Sequence, residues 1–152
     1  MYMGSRRRVL TLYAIGALLA LVAVAKICLF VFDPYRREMR PVHAVIAAGE
    51  MGWASEATDL LDRVIARSAD KHALADRLLQ ESDGSLVAEG MILAVRSRHP
   101  RVRSLLEAHL SDHRWNWYLG NNDELARELL CYLDGRPIEG WVVSLIERKG
   151  GD

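Results

Sequence analysis

The stretch that decides the architecture is Val9-Leu10-Thr11-Leu12-Tyr13-Ala14-Ile15-Gly16-Ala17-Leu18-Leu19-Ala20-Leu21-Val22-Ala23-Val24-Ala25-Lys26-Ile27-Cys28-Leu29-Phe30-Val31-Phe32. It holds 24 residues and a single charge, Lys26. As a helix it covers roughly 36 Å, enough for a hydrocarbon core of about 30 Å with some tilt. Arg6, Arg7 and Arg8 precede it, and Arg36, Arg37 and Arg40 follow. The pattern predicts a basic tail over 1–8, a transmembrane helix over 9–32, a juxtamembrane linker over 33–41 and a helical domain over 42–152.

A retained signal-anchor competes with two processed forms. A cleaved signal peptide would use Ala23-Val24-Ala25 as its small-residue site, but Ile27 to Phe32 would then open an oddly apolar mature chain. Ser5-Arg6-Arg7-Arg8-Val9-Leu10 resembles a twin-arginine export signal only in part. Arg6–Arg8 stand without nearby acids, whereas Asp33 and Glu38 dilute the distal arginines. The positive-inside rule favours an N-terminus in the cytoplasm with 41–152 outside it, while Tyr35-Arg36-Arg37-Glu38-Met39-Arg40 also suits a cytoplasmic anionic lipid surface and the reverse orientation. Gly16, Ala20 and Ala23 share one face at a spacing that lets helices approach closely. Lys26 either snorkels to the interface or meets a carboxylate on a partner helix.

Seventeen arginines against three lysines, with abundant Ala and Leu, suit a GC-rich bacterial genome, and hence a bacterial inner membrane. The zero net charge averages +5 over residues 1–40 and −5 over 41–152. An acidic domain is a poor nucleic-acid binder, since phosphate must be neutralised. Cys28 and Cys131 make no disulfide framework. Lys26 sits where a lipoprotein signal before Cys28 needs a small or apolar residue.

Beyond residue 42 the periodicity is helical throughout. Ala57, Leu60, Leu61, Val64 and Ile65 form one apolar stripe, and Leu74, Ala75, Leu78 and Leu79 another. Ser85 is the expected cap of Leu86 to Val95, a segment apolar nearly all round and so expected at the centre. Pro100 and Pro137 are expected in first turns, Asn122 as a cap and Gly135 as a helix end. No segment alternates with period two, which predicts an all-α fold without a sheet. The short helices read as stacked, forming either an alpha-solenoid-like array or a compact orthogonal bundle.

Ala73-Leu74-Ala75-Asp76-Arg77-Leu78-Leu79-Gln80-Glu81-Ser82-Asp83 and Val102-Arg103-Ser104-Leu105-Leu106-Glu107-Ala108-His109-Leu110-Ser111-Asp112 resemble successive first helices of HEAT-type repeats. Asp83-Gly84-Ser85-Leu86-Val87-Ala88-Glu89 resembles that family's turn into a second helix. Asp83 and Asp112 stand 29 apart, short of a period of about 40. The resemblance covers about residues 54–133 and implies a solenoid-like binding surface without catalysis.

Three constellations carry potential chemistry. His109 and His113 have the one-turn spacing of a metal chelate, with His99 nearby, but no HExxH pattern accompanies them. Arg96, Arg98, Arg101 and Arg103 gather around Pro100 and suit a phosphate, a lipid headgroup or an acidic loop. Arg114, Trp115, Trp117 and Tyr118 concentrate the residue types most enriched at binding hot spots. No phosphate-binding loop, nucleophile elbow, paired cysteine or paired carboxylate motif is present, so an enzyme is not expected and no cofactor is implied. The expected function is a single-pass, membrane-anchored interaction protein serving as an accessory or assembly subunit of a larger membrane complex. The alternatives are a tethered metal- or ligand-binding domain on the three histidines, and a homodimeric signal-anchor regulator or sensor that self-associates through the transmembrane helix.

Overall fold

The computed structural model describes residues 15–28, 33–118 and 120–148. The chain divides into two compact units, Met1–Arg40 and Pro41–Asp152. In the first unit, helix α1 covers residues 15–28, and every one of its side chains is exposed. Among the described residues no helix is long and apolar enough to cross a membrane. The remainder of the expected span, residues 9–14 and 29–32, lies outside the described residues, as do Arg6, Arg7 and Arg8.

The segment expected as a linker is helical from its second residue, in α2 (Pro34–Ala48). Pro34 presets the backbone of the first turn, and the Asp33 carboxylate accepts the Tyr35 N–H at 3.1 Å. Gly49, at φ 61°, ends the helix in the left-handed region.

The second unit continues with α3 (Trp53–Arg67), α4 (Lys71–Leu78), α5 (Gly84–Arg96) and α6 (Val102–Glu107). After these come strands β1 (Trp115–Asn116) and β2 (Gly120–Asn121), then α7 (Asn122–Leu133) and α8 (Gly140–Glu147). The unit is mostly helical, as the periodicity requires. The expected stripe of α3 faces inward through Ala57, Leu61 and Ile65. Every residue of α5 from Gly84 to Val95 is buried, so its all-round apolar character does place it at the centre. Val87, Ala88, Met91, Ile92 and Val95 pack with Leu106 of α6, Leu125, Ala126 and Leu129 of α7, and Val142 of α8. Each large apolar side chain so buried contributes about 1.5–3 kcal/mol. On its other side α5 packs closely against α4. A Cβ at Gly90 would sit 2.9 Å from the Leu79 backbone nitrogen, so this crossing admits only glycine without a shift.

Several expected details change. Asp83, not Ser85, caps α5, accepting the N–H groups of Ser85 at 2.9 Å and Leu86 at 3.2 Å. Its extended backbone one step earlier puts the carboxylate within reach of both donors. Pro100 precedes α6, which opens at Val102 after Arg101, and Pro137 lies ahead of α8. Asn121 rather than Asn122 occupies the cap position of α7. The chain also contains a sheet after all, an antiparallel pair joining Trp115 to Asn121 and Asn116 to Gly120. Two-residue strands are too short for any alternation to register in the sequence.

Candidate functional site

The hairpin β1–β2 carries the aromatic segment, and a polar clasp at its base fixes its position. Asp112 accepts the Arg114 backbone N–H at 3.1 Å, its Nε at 2.8 Å and its Nη2 at 2.7 Å. The same carboxylate accepts Asn122 Nδ2 at 3.1 Å. Arg114 Nη1 reaches onward to the carbonyls of Glu81 at 2.9 Å and Ser82 at 3.2 Å, tying the hairpin to the α4–α5 turn. Burial alone would raise the Asp112 pKa, but the hydrogen bonds from Arg114 and Asn122 and the Arg114 charge win and hold it at about 2. Across the strands, buried Asn116 donates to Asn122 Oδ1 at 3.0 Å and accepts the Tyr118 N–H at 2.9 Å. The Trp117 N–H donates to Ser85 Oγ at 3.2 Å. Ser85 is free to accept because Asp83 does the capping.

Gly84 makes the close approach possible. A Cβ there would lie 2.2 Å from the Trp115 carbonyl oxygen. The first residue of the central helix thus touches the backbone of the aromatic strand.

At the far side of the hairpin stands an ionic cluster that sequence reasoning missed. Glu89, fully buried in mid-α5, receives the Tyr118 hydroxyl hydrogen bond. Arg148, just past α8, donates through Nη2 to Glu89 Oε1 at 3.1 Å and to Asp62 Oδ1 of α3 at 3.1 Å. Its Nη1 donates to the Tyr118 oxygen at 3.1 Å. Burial pushes the Glu89 carboxyl above its ordinary range, and the Arg148 charge and Tyr118 hydrogen bond offset this only in part. Burial and then the Glu89 charge push the Tyr118 hydroxyl well up. Burial works against the charge on Arg148, but Glu89 and Asp62 overcome it and keep the guanidinium ionised. One cation serves two carboxylates here, and the cluster joins α3, α5, the hairpin and the end of α8. The signal was present in the sequence. A lone carboxylate inside the apolar run Leu86–Val95 must find a partner when the run is buried.

The structure separates the sequence-predicted site residues. Of the aromatic group, Trp115 is 62% exposed, while Trp117 and Tyr118 are half-buried. Trp117 packs on Trp53 with ring centroids 5.6 Å apart and edge-on to Tyr118 at 6.1 Å. Arg114 is committed to the clasp. Trp115 and Arg114 are the exposed members of the four, Arg114 with its guanidinium taken up by the clasp.

The histidines do not converge as metal ligands. The helix expected to carry His109 and His113 ends at Glu107, so their one-turn spacing is lost. His109 Nδ1 lies 2.8 Å from the Leu105 carbonyl, and His113, largely exposed, lies 3.5 Å from Asp123. His99 is buried, accepts the Arg101 N–H at 3.0 Å and sits 3.5 Å from Asp76. Among the described residues no three His, Cys, Asp or Glu side chains group as a metal site.

The four arginines also diverge. Arg101 forms a two-pronged pair with Asp76 at 3.0 and 3.2 Å, and Arg103 pairs with Asp134. Arg96 and Arg98 instead line a groove beside α7 and α8. Gly16, Ala20, Ala23 and Lys26 all lie exposed on α1, and a Cβ at Gly16 would meet nothing within 4 Å. Compared with protein families, curated proteins and solved structures, the chain matches none.

Proposed function

We propose that this chain is a single-pass, membrane-anchored helical interaction protein, an accessory or assembly subunit of a larger membrane protein complex. The observation that carries the reading is α1: Leu18, Leu19, Leu21, Val24 and Ile27 are each at least 60% exposed. A helix so apolar and so uncovered requires lipid or a partner around it. The uninterrupted apolar run 9–32 supports the lipid, and Gly16, Ala20 and Ala23 supply a face for a second helix. In this reading Lys26 meets the interface or a partner carboxylate. The N-terminus is cytoplasmic and the helical unit extracytoplasmic in a bacterial inner membrane.

The helical unit contributes Trp115 as its docking residue. The clasp of Asp112, Arg114 and Asn122 fixes the backbone of the strand that carries that indole, which lowers the ordering cost of association. The HEAT-like resemblance fits the same role, since such repeats present binding surfaces.

The test is co-purification from native membranes in mild detergent. A stoichiometric partner is expected, and Trp115→Ala is expected to weaken its retention at least several-fold with the helical signal unchanged. A monodisperse monomer from native membranes overturns the reading. Crosslinking through Gly16→Cys separates its two forms: a foreign partner supports the complex subunit, and a self-dimer supports the homodimeric regulator.

A further inference from the structure

Helix α8, the last described helix, is fastened unevenly. Residues 134–139, which join it to α7, are exposed apart from half-buried Ile138. Along the helix only Val142 is fully buried, while Trp141, Leu145 and Ile146 pack partly against the core. The strong attachment comes one residue past its end. There Arg148 Nη2 donates to Glu89 Oε1 at 3.1 Å and Oε2 at 3.3 Å and to Asp62 Oδ1 at 3.1 Å. Its Nη1 donates to the Tyr118 oxygen at 3.1 Å.

The two carboxylates differ in what they can do without Arg148. The Asp62 side chain is 22% exposed and reaches water. The Glu89 side chain is 1% exposed, in the middle of the buried helix α5. The groups that face Glu89 are Asp62 from α3, Tyr118 from the hairpin and Arg148 from the end of α8. Arg148 is the one cation of these three. When α8 lifts away the guanidinium leaves with it. Glu89 then keeps one hydroxyl donor, Tyr118, and a like charge at Asp62. A buried carboxylate in that setting gives up its charge by taking a proton.

We propose that α8 is a strap governed by one proton: ionised Glu89 holds Arg148 and keeps α8 closed, and protonation of Glu89 releases it from α5. The sign follows from linkage. Closure brings a cation to Glu89, so the closed state binds the proton more weakly than the open state, and α8 loosens as pH falls. Burial holds the Glu89 carboxyl above its ordinary range even when Arg148 is in place, so the loosening begins above that range. Complete unfolding is a separate equilibrium, because it gives Glu89 to water as well as removing Arg148. The strap lies wholly within the helical unit, so it operates with or without a membrane.

The test is hydrogen exchange of the full chain in non-ionic detergent, read by mass spectrometry as protection factors corrected for the intrinsic pH dependence of exchange. Protection of the α8 amides is expected to fall about tenfold between about pH 8 and about pH 5, while α5 and α7 hold theirs. Glu89→Gln keeps a hydrogen-bonding side chain of the same shape and is expected to remove this pH response. Arg148→Gln leaves the core residues in place. It is expected to lower α8 protection about tenfold at neutral pH and to flatten the response. Glu147→Gln, at an exposed neighbour, is expected to keep the native response. Protection of α8 that is flat with pH in the native chain, or that rises as pH falls, overturns the strap. An Arg148→Gln chain with native protection of α8 overturns it as well. So does a Glu89→Gln chain with the native pH response, since another group would then be titrating. Should Glu89→Gln also lower the protection of α5, the core itself is damaged, and Arg148→Gln decides alone.

Discussion

The described residues of α1 and those of α5 are both predominantly apolar, yet every described residue of α1 is exposed, and α5 is buried from Gly84 to Val95. Composition does not separate them. Neighbours do: α5 has α4 on one side, α6, α7 and α8 on the other, and the hairpin against its first turn. The two helices even treat charge alike in sequence, with one charged residue inside each apolar run, Lys26 and Glu89. Only Glu89 is surrounded by a hydrogen bond and an ion pair that make its burial tolerable. An apolar helix states that it needs covering, and the covering material is decided elsewhere.

The sharpest way to break this comparison is the same substitution in both helices. Leu86→Ala should cost about 2–5 kcal/mol, because it opens a cavity in a fully packed core. Leu21→Ala, at a position 70% exposed, should change unfolding of the helical unit by less than about 0.5 kcal/mol. Urea unfolding in detergent, followed by circular dichroism, measures both. Equal effects would mean that α1 is packed after all.

A smaller effect tests the hairpin's claim on α5. Gly84→Ala brings a methyl against the Trp115 carbonyl, a backbone atom that cannot rotate away. The expected loss is about 1–3 kcal/mol. Tryptophan emission should also shift, since Trp115 and Trp117 move with the strand. Unchanged stability and emission would show that the contact is slack.

Acid titration tests the clasp and sharpens the contrast between two carboxylates of the helical unit, Asp112 and Glu89. Asp112 has a folded pKa of about 2 against an ordinary 3.8, so it stabilises above the ordinary value and loses that contribution as pH falls through about 2. The contribution is on the order of 2 kcal/mol at neutral pH. Glu89 runs the other way. Its folded pKa is raised from 4.5, so it stabilises most below that value and loses the contribution as pH rises through the folded pKa. Asp112→Asn should therefore lower stability at neutral pH and flatten the acid limb, whereas Glu89→Gln should flatten the dependence above the ordinary carboxylate range. Identical profiles for the two variants would contradict the opposed directions.

Much of the helical unit was legible beforehand. The stripe Ala57, Leu61, Ile65 and the central placement of Leu86–Val95 follow from periodicity, which burial must satisfy. The caps were legible only to within a residue or two, because Asp83 and Ser85 offer equivalent chemistry and backbone geometry chooses between them. The hairpin was not legible, since two-residue strands carry no period. The candidate site divided likewise. The aromatic group was readable as a cluster, but which member stays exposed was not: Trp115 faces outward, whereas Trp117 and Tyr118 turn toward Trp53 and Glu89. Arg96 and Arg98 were grouped with Arg101 and Arg103 by proximity in sequence. Asp76 and Asp134 then claimed one pair and left the other.

By itself the sequence determined that the chain is built mostly of helices, that residues 9–32 form one apolar run with a single charge, and that α5 lies at the centre. Those outcomes depend on local propensity and on the fixed geometry of a helix. Tertiary structure alone decided which polar groups meet: Glu89 with Tyr118, Arg148 and Asp62, and Asp112 with Arg114 and Asn122. Residues 86 positions apart, such as Asp62 and Arg148, are joined only when the core brings their helices together. Charge pairing acts over a few ångströms of space, and sequence separation places no constraint on it.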